Sequence, residues 1–143
     1  GDPEAMNTLP VLETDLLSIL VAAREGEELP ELEFAPQATV CKYAVPEGYP
    51  TGPVAGAKVT LDEGTVGDAL LFYASVDEQE DGIYTTTSRS FAVVGVADSI
   101  TEAESIAETA LSDVGEGFRV RHDIGKPDLV ERRIEHMRSL REN

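Results

Sequence analysis

Lysine is scarce in this sequence, and cations of any kind are few. Lys42, Lys58 and Lys126 are the only lysines, and 11 lysine and arginine residues together face 28 aspartate and glutamate residues, for a formal net charge of −17. A protein that binds nucleic acid or an anionic membrane needs a basic face, and the cations here are not gathered into a basic run. The composition therefore argues against both kinds of partner.

Cysteine is equally scarce, because Cys41 is the only one. A single cysteine excludes an internal disulfide framework and fits a reducing cytoplasm. Cys41 falls in a strand-like segment, where a small buried apolar role is favoured over a nucleophilic one. The chain also lacks any apolar run near the ~20 residues that a membrane-spanning helix needs, and it lacks a signal peptide's basic start. We therefore predict a cytoplasmic protein.

The acidic excess itself has two interpretations. Few lysines combined with many Asp, Glu, Ala, Val and Thr residues resemble the composition of proteins from a salt-loaded cytoplasm. At 1 M salt the Debye length shrinks to about 3 Å, which blunts the repulsion between like charges. This predicts a halophilic protein, and an ordinary acidic protein is the alternative.

General catalytic motifs are missing from the sequence. It contains no P-loop, no Gly-x-Ser-x-Gly, no Cys-x-x-Cys and no His-Glu-x-x-His pattern. His136 is predicted to be a solvated surface residue, whereas His122, between Arg121 and Asp123, leaves an ion-paired role and a chemical role both open. The acidic stretch 77–82 lacks the spacing of a calcium-binding loop, so we expect a solvated turn and no metal site.

Helical patterns occupy the first part of the chain. Asp2 is expected to cap a short helix, since Pro3 tolerates the first helical position and Glu4 opposes the helix dipole. Thr14 is expected to cap a second helix that runs to about Arg24. A polar, proline-bearing connector follows at residues 27–36, and it is the best internal boundary.

Two further helices are predicted near the end. Ser99 and Glu102 form a capping-box pattern ahead of a third helix. Pro127 opens a final helix to about Arg141, and its apolar residues are expected to face inward. Those residues are Leu129, Val130, Ile134, Met137 and Leu140.

The middle of the chain carries strand patterns. Two runs rich in aromatic and β-branched residues, 69–76 and 91–97, are separated by the acidic turn and a Thr-rich segment, 83–88. Side chains in these segments alternate with a period of two, and clusters of Asp and Gly bound them, a pattern that predicts three consecutive antiparallel strands. Another strand is expected at 38–45, before Pro46. Clustered strands with helices around them indicate an α+β fold, a small, mostly antiparallel sheet with helices packed on one face.

Arg89 is the most interesting polar residue in this region. It lies at the bend between the Thr-rich and Val-rich strands, with Ser88 and Ser90 on either side. A guanidinium beside hydroxyl groups suits a phosphate or carboxylate ligand. In so acidic a chain, a salt bridge to a neighbouring carboxylate is the competing role.

Four segments of the chain, taken in order, resemble the C-terminal part of the phosphoribosylamine–glycine ligase family, also called glycinamide ribonucleotide synthetases. The likeness is closest to archaeal forms and extends from residue 1 to about residue 138. The segments are GDPEAMNTLPVLETDLL, KYAVPEGYP, LFYASVDEQEDGIYTTTSRSFAVVGVAD and RVRHDIGKPDLVERRIEHM.

The resemblance implies an ATP-grasp enzyme that joins glycine to 5-phosphoribosylamine through a glycyl phosphate, with ATP and Mg²⁺. It also implies that the residues holding ATP and the metal lie upstream of this chain, which is then a fragment that is inactive alone. Residues 1–36 correspond to the tail of the ATP-grasp domain and a connector, and residues 37–143 to the C-terminal domain. The partners are then the upstream ATP-grasp domain, glycine and phosphoribosylamine.

The resemblance also suggests site residues. Arg89 matches an arginine that follows two glycines in many bacterial members, although Thr87 and Ser88 stand here in place of the glycines. Arg89 and Ser88 are expected to bind substrate. Asp2 and Glu4 match the family's GDPE, where carboxylates near an amine substrate are expected, and RHDIG at 121–125 is expected to order the last helix.

Two other interpretations remain open from the sequence. The chain could be the equivalent domain of another ATP-grasp ligase or carboxylase. It could also be a standalone, non-catalytic acidic module for binding or dimerisation.

Overall fold

The computed structural model describes residues 3–112 and 114–142, and it contains four α-helices and seven strands in that range. The helices are α1 (Glu4–Thr8), α2 (Leu16–Glu25), α3 (Ile100–Ala110) and α4 (Pro127–Arg141), with a 3₁₀ turn at Leu9–Val11. The strands are β1 (Ala38–Pro46), β2 (Lys58–Val59), β3 (Leu70–Tyr73), β4 (Val76–Gln79), β5 (Gly82–Thr85), β6 (Phe91–Ala97) and β7 (Phe118–Val120).

The main sheet has four antiparallel strands in the order β3-β6-β1-β7. Its centre is the β1–β6 ladder, in which Cys41 lies opposite Val94 and Ala44 opposite Phe91. β6 contains three valines and a phenylalanine, residues that favour strands, and it is buried over most of its length. The α+β class predicted from the sequence is confirmed.

Helix α3 covers one face of this sheet. Ser99 caps it by accepting a hydrogen bond from the Glu102 amide at 3.2 Å, as the capping pattern predicts. Ala107 and Ala110 on the helix pack in one apolar cluster with Phe91 and Val93 on β6, and Ala103 is fully buried. The approach is so close that a Cβ on Gly95 would stand only 1.9 Å from the Ala103 carbonyl oxygen.

The opposite face of the sheet carries α1. Met6 packs against a small apolar cluster formed by Cys41, Ala92 and Val94. The Thr39 hydroxyl donates to the Asn7 carbonyl oxygen at 2.9 Å, which ties α1 to the start of β1. Cys41 is therefore buried as an apolar residue, as expected from the sequence.

The predicted three-stranded meander forms only in part: the hairpin at the acidic stretch is present, but the Thr-rich strand does not pair with β6. The run 69–76 contains β3 and only the first residue of β4, and β3 pairs directly with β6. The Thr-rich strand β5 instead pairs with β4 and β2 in a separate three-stranded sheet, so the acidic stretch is part strand and part tight turn. The segments that follow β3 and precede β6 stay paired as far as the hydrogen bond from the Ser75 amide to the Arg89 carbonyl oxygen, at 2.9 Å. Beyond that bond they diverge, and the smaller sheet begins.

Helix α2 begins differently from the prediction. Asp15, and not Thr14, caps it, accepting from the Ser18 amide at 2.8 Å. Thr14 is engaged elsewhere, because its hydroxyl bridges Glu31 and Glu33 of the connector. The connector thus folds back along the segment before α2, where Leu12 and Phe34 form an isolated bridge. Gly26, with φ 71°, ends the helix in the left-handed conformation.

Two helices keep apolar surface exposed. On α2 the exposed residues are Leu16, Leu17, Leu20 and Val21. On α4 they are Ile134, Met137 and Leu140, which corrects the expectation that this stripe faces inward. The α4 stripe fails to reach the core because the helix leaves the body of the protein after Lys126, and none of its described residues is buried. Among the described residues, no helix has the length and apolar character needed to cross a membrane.

Candidate functional site

Arg89 lies where the main sheet and the smaller sheet part. Its carbonyl oxygen accepts from the Ser75 amide, and the next residue, Ser90, donates its amide to the Ala44 carbonyl oxygen at 3.1 Å. Thr86 closes the bend, since its hydroxyl lies 2.7 Å from the Ser75 hydroxyl and accepts from the Ser88 amide at 3.3 Å. The backbone around Arg89 is therefore fixed from both sides, although its position is outside a strand.

The side chain of Arg89 lies over an aromatic ring. Its guanidinium carbon is 5.1 Å from the centre of the Tyr43 ring, within the range of a cation–π contact. Tyr43 is half-buried in β1, the strand paired on both edges. Sequence reasoning missed Tyr43 as a site residue. The feature of the sequence that could have identified Tyr43 is its position as an aromatic residue just ahead of the proline- and glycine-rich loop.

Tyr43 also lines a cavity of about 290 Å³ on the face of the sheet opposite α3. The cavity has apolar walls, and its polar groups come from Tyr43, Tyr49, Arg119 and Arg121, with Pro3 at one side. The register explains the clustering, because Arg119 on β7 lies opposite Val45 on β1, two residues from Tyr43. Three segments distant in sequence therefore meet at one place, with Arg89 beside them.

Arg121 is fixed by Asp123. Its Nε and Nη2 donate to the two carboxylate oxygens of Asp123, each at 2.6 Å. These hydrogen bonds lower the pKa of Asp123 to about 2, and the same pairing raises the pKa of Arg121. In contrast, the Arg119 side chain has no ion pair within residues 3–112 and 114–142.

A buried charge network lies on the other side of β1. Lys42 is fully buried, and its Nζ donates to Glu104 at 2.6 Å, to Glu108 at 2.5 Å and to the His122 carbonyl oxygen at 3.1 Å. Lys126 adds a second ammonium 2.8 Å from Glu104. The network joins β1, α3 and the loop that carries Arg121, so it fixes that loop against the sheet.

The carboxylates of this network have lowered pKa values. Burial acts to raise the pKa of Glu104, but hydrogen bonds from Lys126 and Lys42 outweigh it. Burial also acts to raise the pKa of Glu108, but the interactions with Lys42 and then with His122 outweigh it, so the pKa of Glu108 is lowered as well. Sequence reasoning missed this network. The sequence feature that could have indicated it is the position of two carboxylates next to the small residues of the buried helix face, namely Glu104 and Glu108 beside Ala103 and Ala107.

His122 contacts a carboxylate of the buried network through its ring. Its side chain is 58% exposed, and Nδ1 lies 2.9 Å from Glu108 Oε1. Gly125, with φ 82°, leaves no room for a Cβ against Glu104 and Val40, so the RHDIG segment packs closely on α3 and β1. Its expected role in ordering the last helix stays a prediction. His136 is exposed on α4, as predicted.

The other predicted site residues are more scattered. Ser88 is exposed in the bend next to Arg89, while Glu4 is exposed in the first turn of α1. Asp2 lies outside the described residues, so its predicted capping role has no structural counterpart here. In the acidic stretch, Asp81 binds Lys58 at 3.2 Å and the Tyr84 hydroxyl at 2.8 Å.

Metal-binding groups are not assembled in the part of the chain that the structure describes. Within residues 3–112 and 114–142, no three His, Cys, Asp or Glu side chains are grouped so that they could hold a metal ion. The polar groups of the cavity are two arginines and two tyrosines, a donor set that suits an anion and does not suit a cation.

Comparison with known proteins places these features in a family. Residues 39–127 match the family model described as phosphoribosylglycinamide synthetase, C domain. A phosphoribosylamine–glycine ligase from Methanococcoides burtonii is 52% identical over 143 residues, covering 99% of this chain and 32% of the relative. The corresponding ligase of Methanothermobacter thermautotrophicus is 47% identical, with 99% and 33% covered.

A solved structure agrees with the fold. The crystal structure of phosphoribosylamine–glycine ligase from Thermotoga maritima matches with a TM-score of 0.71 and 25% sequence identity, covering 86% of this chain and 30% of that one. The chain thus spans about a third of the length of the curated relatives it matches.

Proposed function

Because this chain belongs to the family of phosphoribosylglycinamide synthetase C domains, we propose that it is the C-terminal part of a phosphoribosylamine–glycine ligase. In the complete enzyme it contributes one wall of the cleft in which glycine is joined to 5-phosphoribosylamine with consumption of ATP, a step of purine biosynthesis. The chain alone is inactive.

One observation carries this proposal most directly. The segments that resemble the ligase family are far apart in sequence, yet Pro3, Tyr43, Tyr49 and Arg121 from three of them line one cavity. The fourth segment supplies Arg89, which lies on Tyr43. A convergence of this kind is expected of a binding surface and is not required for folding a small sheet.

The role of Arg89 follows from its chemistry. A guanidinium offers a planar fork of N–H donors that matches a phosphate group, and phosphoribosylamine carries one. Arg89 binds that phosphate and so directs the amine towards glycyl phosphate. Ser88, exposed beside it, adds a hydroxyl donor. We further propose that Asp2 and Glu4 bind the amine end of the substrate, since a carboxylate favours an ammonium group.

A domain in this position also protects the acyl phosphate from hydrolysis. An acyl phosphate hydrolyses when water reaches it, whereas the amine must approach its carbonyl carbon closely for phosphate to leave. A wall that closes over the cleft excludes water and holds the two reactants together. Both effects require a second wall, which the upstream domain provides.

ATP and Mg²⁺ are bound by the upstream part of the enzyme. The described residues offer anion-binding groups and no cluster suited to a metal, so no step assigned to this chain passes through the metal. The chain's own contribution is limited to binding, orienting and shielding the substrates.

The upstream ATP-grasp domain is the partner of this chain, with the boundary near residue 36. Support comes from the family match, which begins at residue 39, and from α2, whose apolar residues lack a cover within residues 3–112 and 114–142. We place residues 1–36 with the upstream domain as its tail and connector. The contact of Asn7 with Thr39 then belongs to the interface between the two parts.

A cytoplasmic, salt-rich setting suits the composition. One cysteine fits a reducing compartment, and a formal charge of −17 with three lysines fits a medium of high ionic strength.

The activity is tested by a product assay on two proteins. The full-length parent, supplied with phosphoribosylamine, should form glycinamide ribonucleotide only when ATP and glycine are both present. The 143-residue chain alone should form none under the same conditions. A full-length parent that binds no glycine and turns over no ATP would overturn the proposal.

A further inference from the structure

We propose that Tyr43 is a positioning residue for Arg89, holding the guanidinium beside the cavity in the orientation that binds the substrate phosphate. The inference rests on the proposed function and extends it to a residue that does not itself touch the phosphate. It is carried by the 5.1 Å contact between the guanidinium carbon of Arg89 and the centre of the Tyr43 ring.

Tyr43 is anchored well enough to act as a support. It lies on β1, which pairs with β6 on one side and with β7 on the other, directly opposite Ala92. Its ring is half-buried and lines the cavity. Arg89, in contrast, follows the bend outside any strand, and its guanidinium lies over the ring of Tyr43.

A guanidinium can contact an aromatic ring and still keep the donors that a phosphate needs. A cation–π contact engages the flat face of the group, while hydrogen bonds to a phosphate come from the N–H donors at its edge. A guanidinium lying on Tyr43 can therefore bind the ring and a phosphate at the same time. The ring removes rotamer freedom before the substrate arrives, which lowers the entropic cost of binding.

The same ring connects Arg89 to the cavity. Arg89 does not line the cavity, but Tyr43 does, together with Arg119 and Tyr49. Moving the guanidinium off the ring would separate it from the other groups that converge there. The expected defect is therefore weaker substrate binding with the chemical step intact.

The experiment is a kinetic series in the full-length ligase. Tyr43→Leu should raise the KM for phosphoribosylamine about 3- to 10-fold, the range of a partly exposed cation–π contact, with kcat and the KM values for ATP and glycine unchanged. Tyr43→Phe keeps the ring and should raise the KM for phosphoribosylamine less than Tyr43→Leu does. The double variant Tyr43→Leu with Arg89→Ala should be no worse than Arg89→Ala alone, since Tyr43 acts only through Arg89.

Tyr84 provides a matched control. Its ring also lies beneath a cation, with Lys58 Nζ 5.6 Å from the ring centre, but on the smaller sheet away from the cavity. Tyr84→Leu should lose a similar contact and leave the KM for phosphoribosylamine unchanged. An equal rise in both tyrosine variants would indicate general loosening of the domain and overturn the inference.

A second series remains informative if Tyr43→Leu does not fold. Replacing residue 43 with phenylalanine analogues of increasing fluorination weakens the negative face of the ring at nearly constant shape. The KM for phosphoribosylamine should rise with each added fluorine, and a flat series would overturn the role of Tyr43. If Arg89→Ala itself leaves that KM unchanged, it is the proposed role of Arg89 that fails.

Discussion

Lys42 and Glu104 form an ion pair in the interior between β1 and α3, with Nζ and Oε1 2.6 Å apart and the two side chains 0% and 7% exposed. Removing one member of a buried pair leaves the other charge without compensation, which typically costs about 3–5 kcal/mol. Glu104 would retain Lys126 as a partner. We therefore expect Lys42→Met to lower the free energy of unfolding by about 2–4 kcal/mol, measured by urea denaturation.

Lys58 offers the matched control for that measurement. It also pairs with a carboxylate, Asp81 at 3.2 Å, but both side chains are largely exposed. Lys58→Met should change the free energy of unfolding by no more than about 1 kcal/mol, as is usual for surface pairs. If the two lysine variants lost the same stability, the buried network would not fix β1 against α3.

Acid should weaken the same network. The lowered pKa values of Glu104 and Glu108 mean that their stabilising effect is fully present above their ordinary pKa of 4.5 and is lost as the pH falls through the lower folded values. We expect the free energy of unfolding to decrease below about pH 4.5. In Glu108→Gln the decrease should be shallower, because one of the carboxylates that bind protons on unfolding is gone.

The control for this pH series is Glu135, which is exposed on α4. Glu135→Gln should follow the wild-type curve as the solution is acidified over the same range. If the Glu108→Gln curve had the wild-type slope, folding would not lower the pKa of Glu108, and the prediction would be wrong.

Close packing of α3 on β6 gives a third prediction. Gly95 has an ordinary strand conformation, so alanine there meets only a steric obstacle, the Ala103 carbonyl oxygen at 1.9 Å. Gly95→Ala should destabilise the protein by at least about 1–3 kcal/mol, because the helix must move away from the sheet. Gly52→Ala is the control, since nothing lies within 4 Å of the position its Cβ would take and its φ is not positive.

The outcome of the Gly95 test is a difference in melting temperature. Gly95→Ala should melt several degrees lower than the wild type, and Gly52→Ala should melt close to it. Equal melting temperatures for the two variants would contradict the close approach of α3 to β6.

The acidic composition predicts a response to salt. With a formal charge of −17, the folded chain is destabilised by repulsion that molar salt screens. The melting temperature should therefore rise between low and molar KCl. A melting temperature that is flat or falls over that range would argue against adaptation to salt.

The parts of the fold that sequence reasoning predicted are those governed by local chemistry. Ser99 and Glu102 cap α3, Pro127 begins α4, and the apolar run at 91–97 forms β6, each determined by residues within a few positions. The split at residues 74–75 was missed because strand order depends on the distant partner: β3 pairs with β6, and β5 is left to pair with β4 and β2.

The candidate site shows the same limit. The bend position of Arg89 could be predicted from its neighbours, but its support could not, since Tyr43 lies on another strand. Lys42 meets carboxylates 62 and 66 positions away, and no local pattern marks such a pair. The exposed apolar residues on α4 were likewise expected to face inward, because periodicity predicts an apolar face and does not say what covers it.

The most direct test of the phosphate-binding role is the KM for phosphoribosylamine in the full-length ligase carrying Arg89→Ala. Losing a guanidinium that binds the phosphate should raise this KM by about tenfold or more, the effect of a charge-assisted hydrogen bond, while the KM values for ATP and glycine stay unchanged. An unchanged KM for phosphoribosylamine would contradict the assignment of Arg89, and with it the role of this domain as the phosphate-binding wall of the cleft.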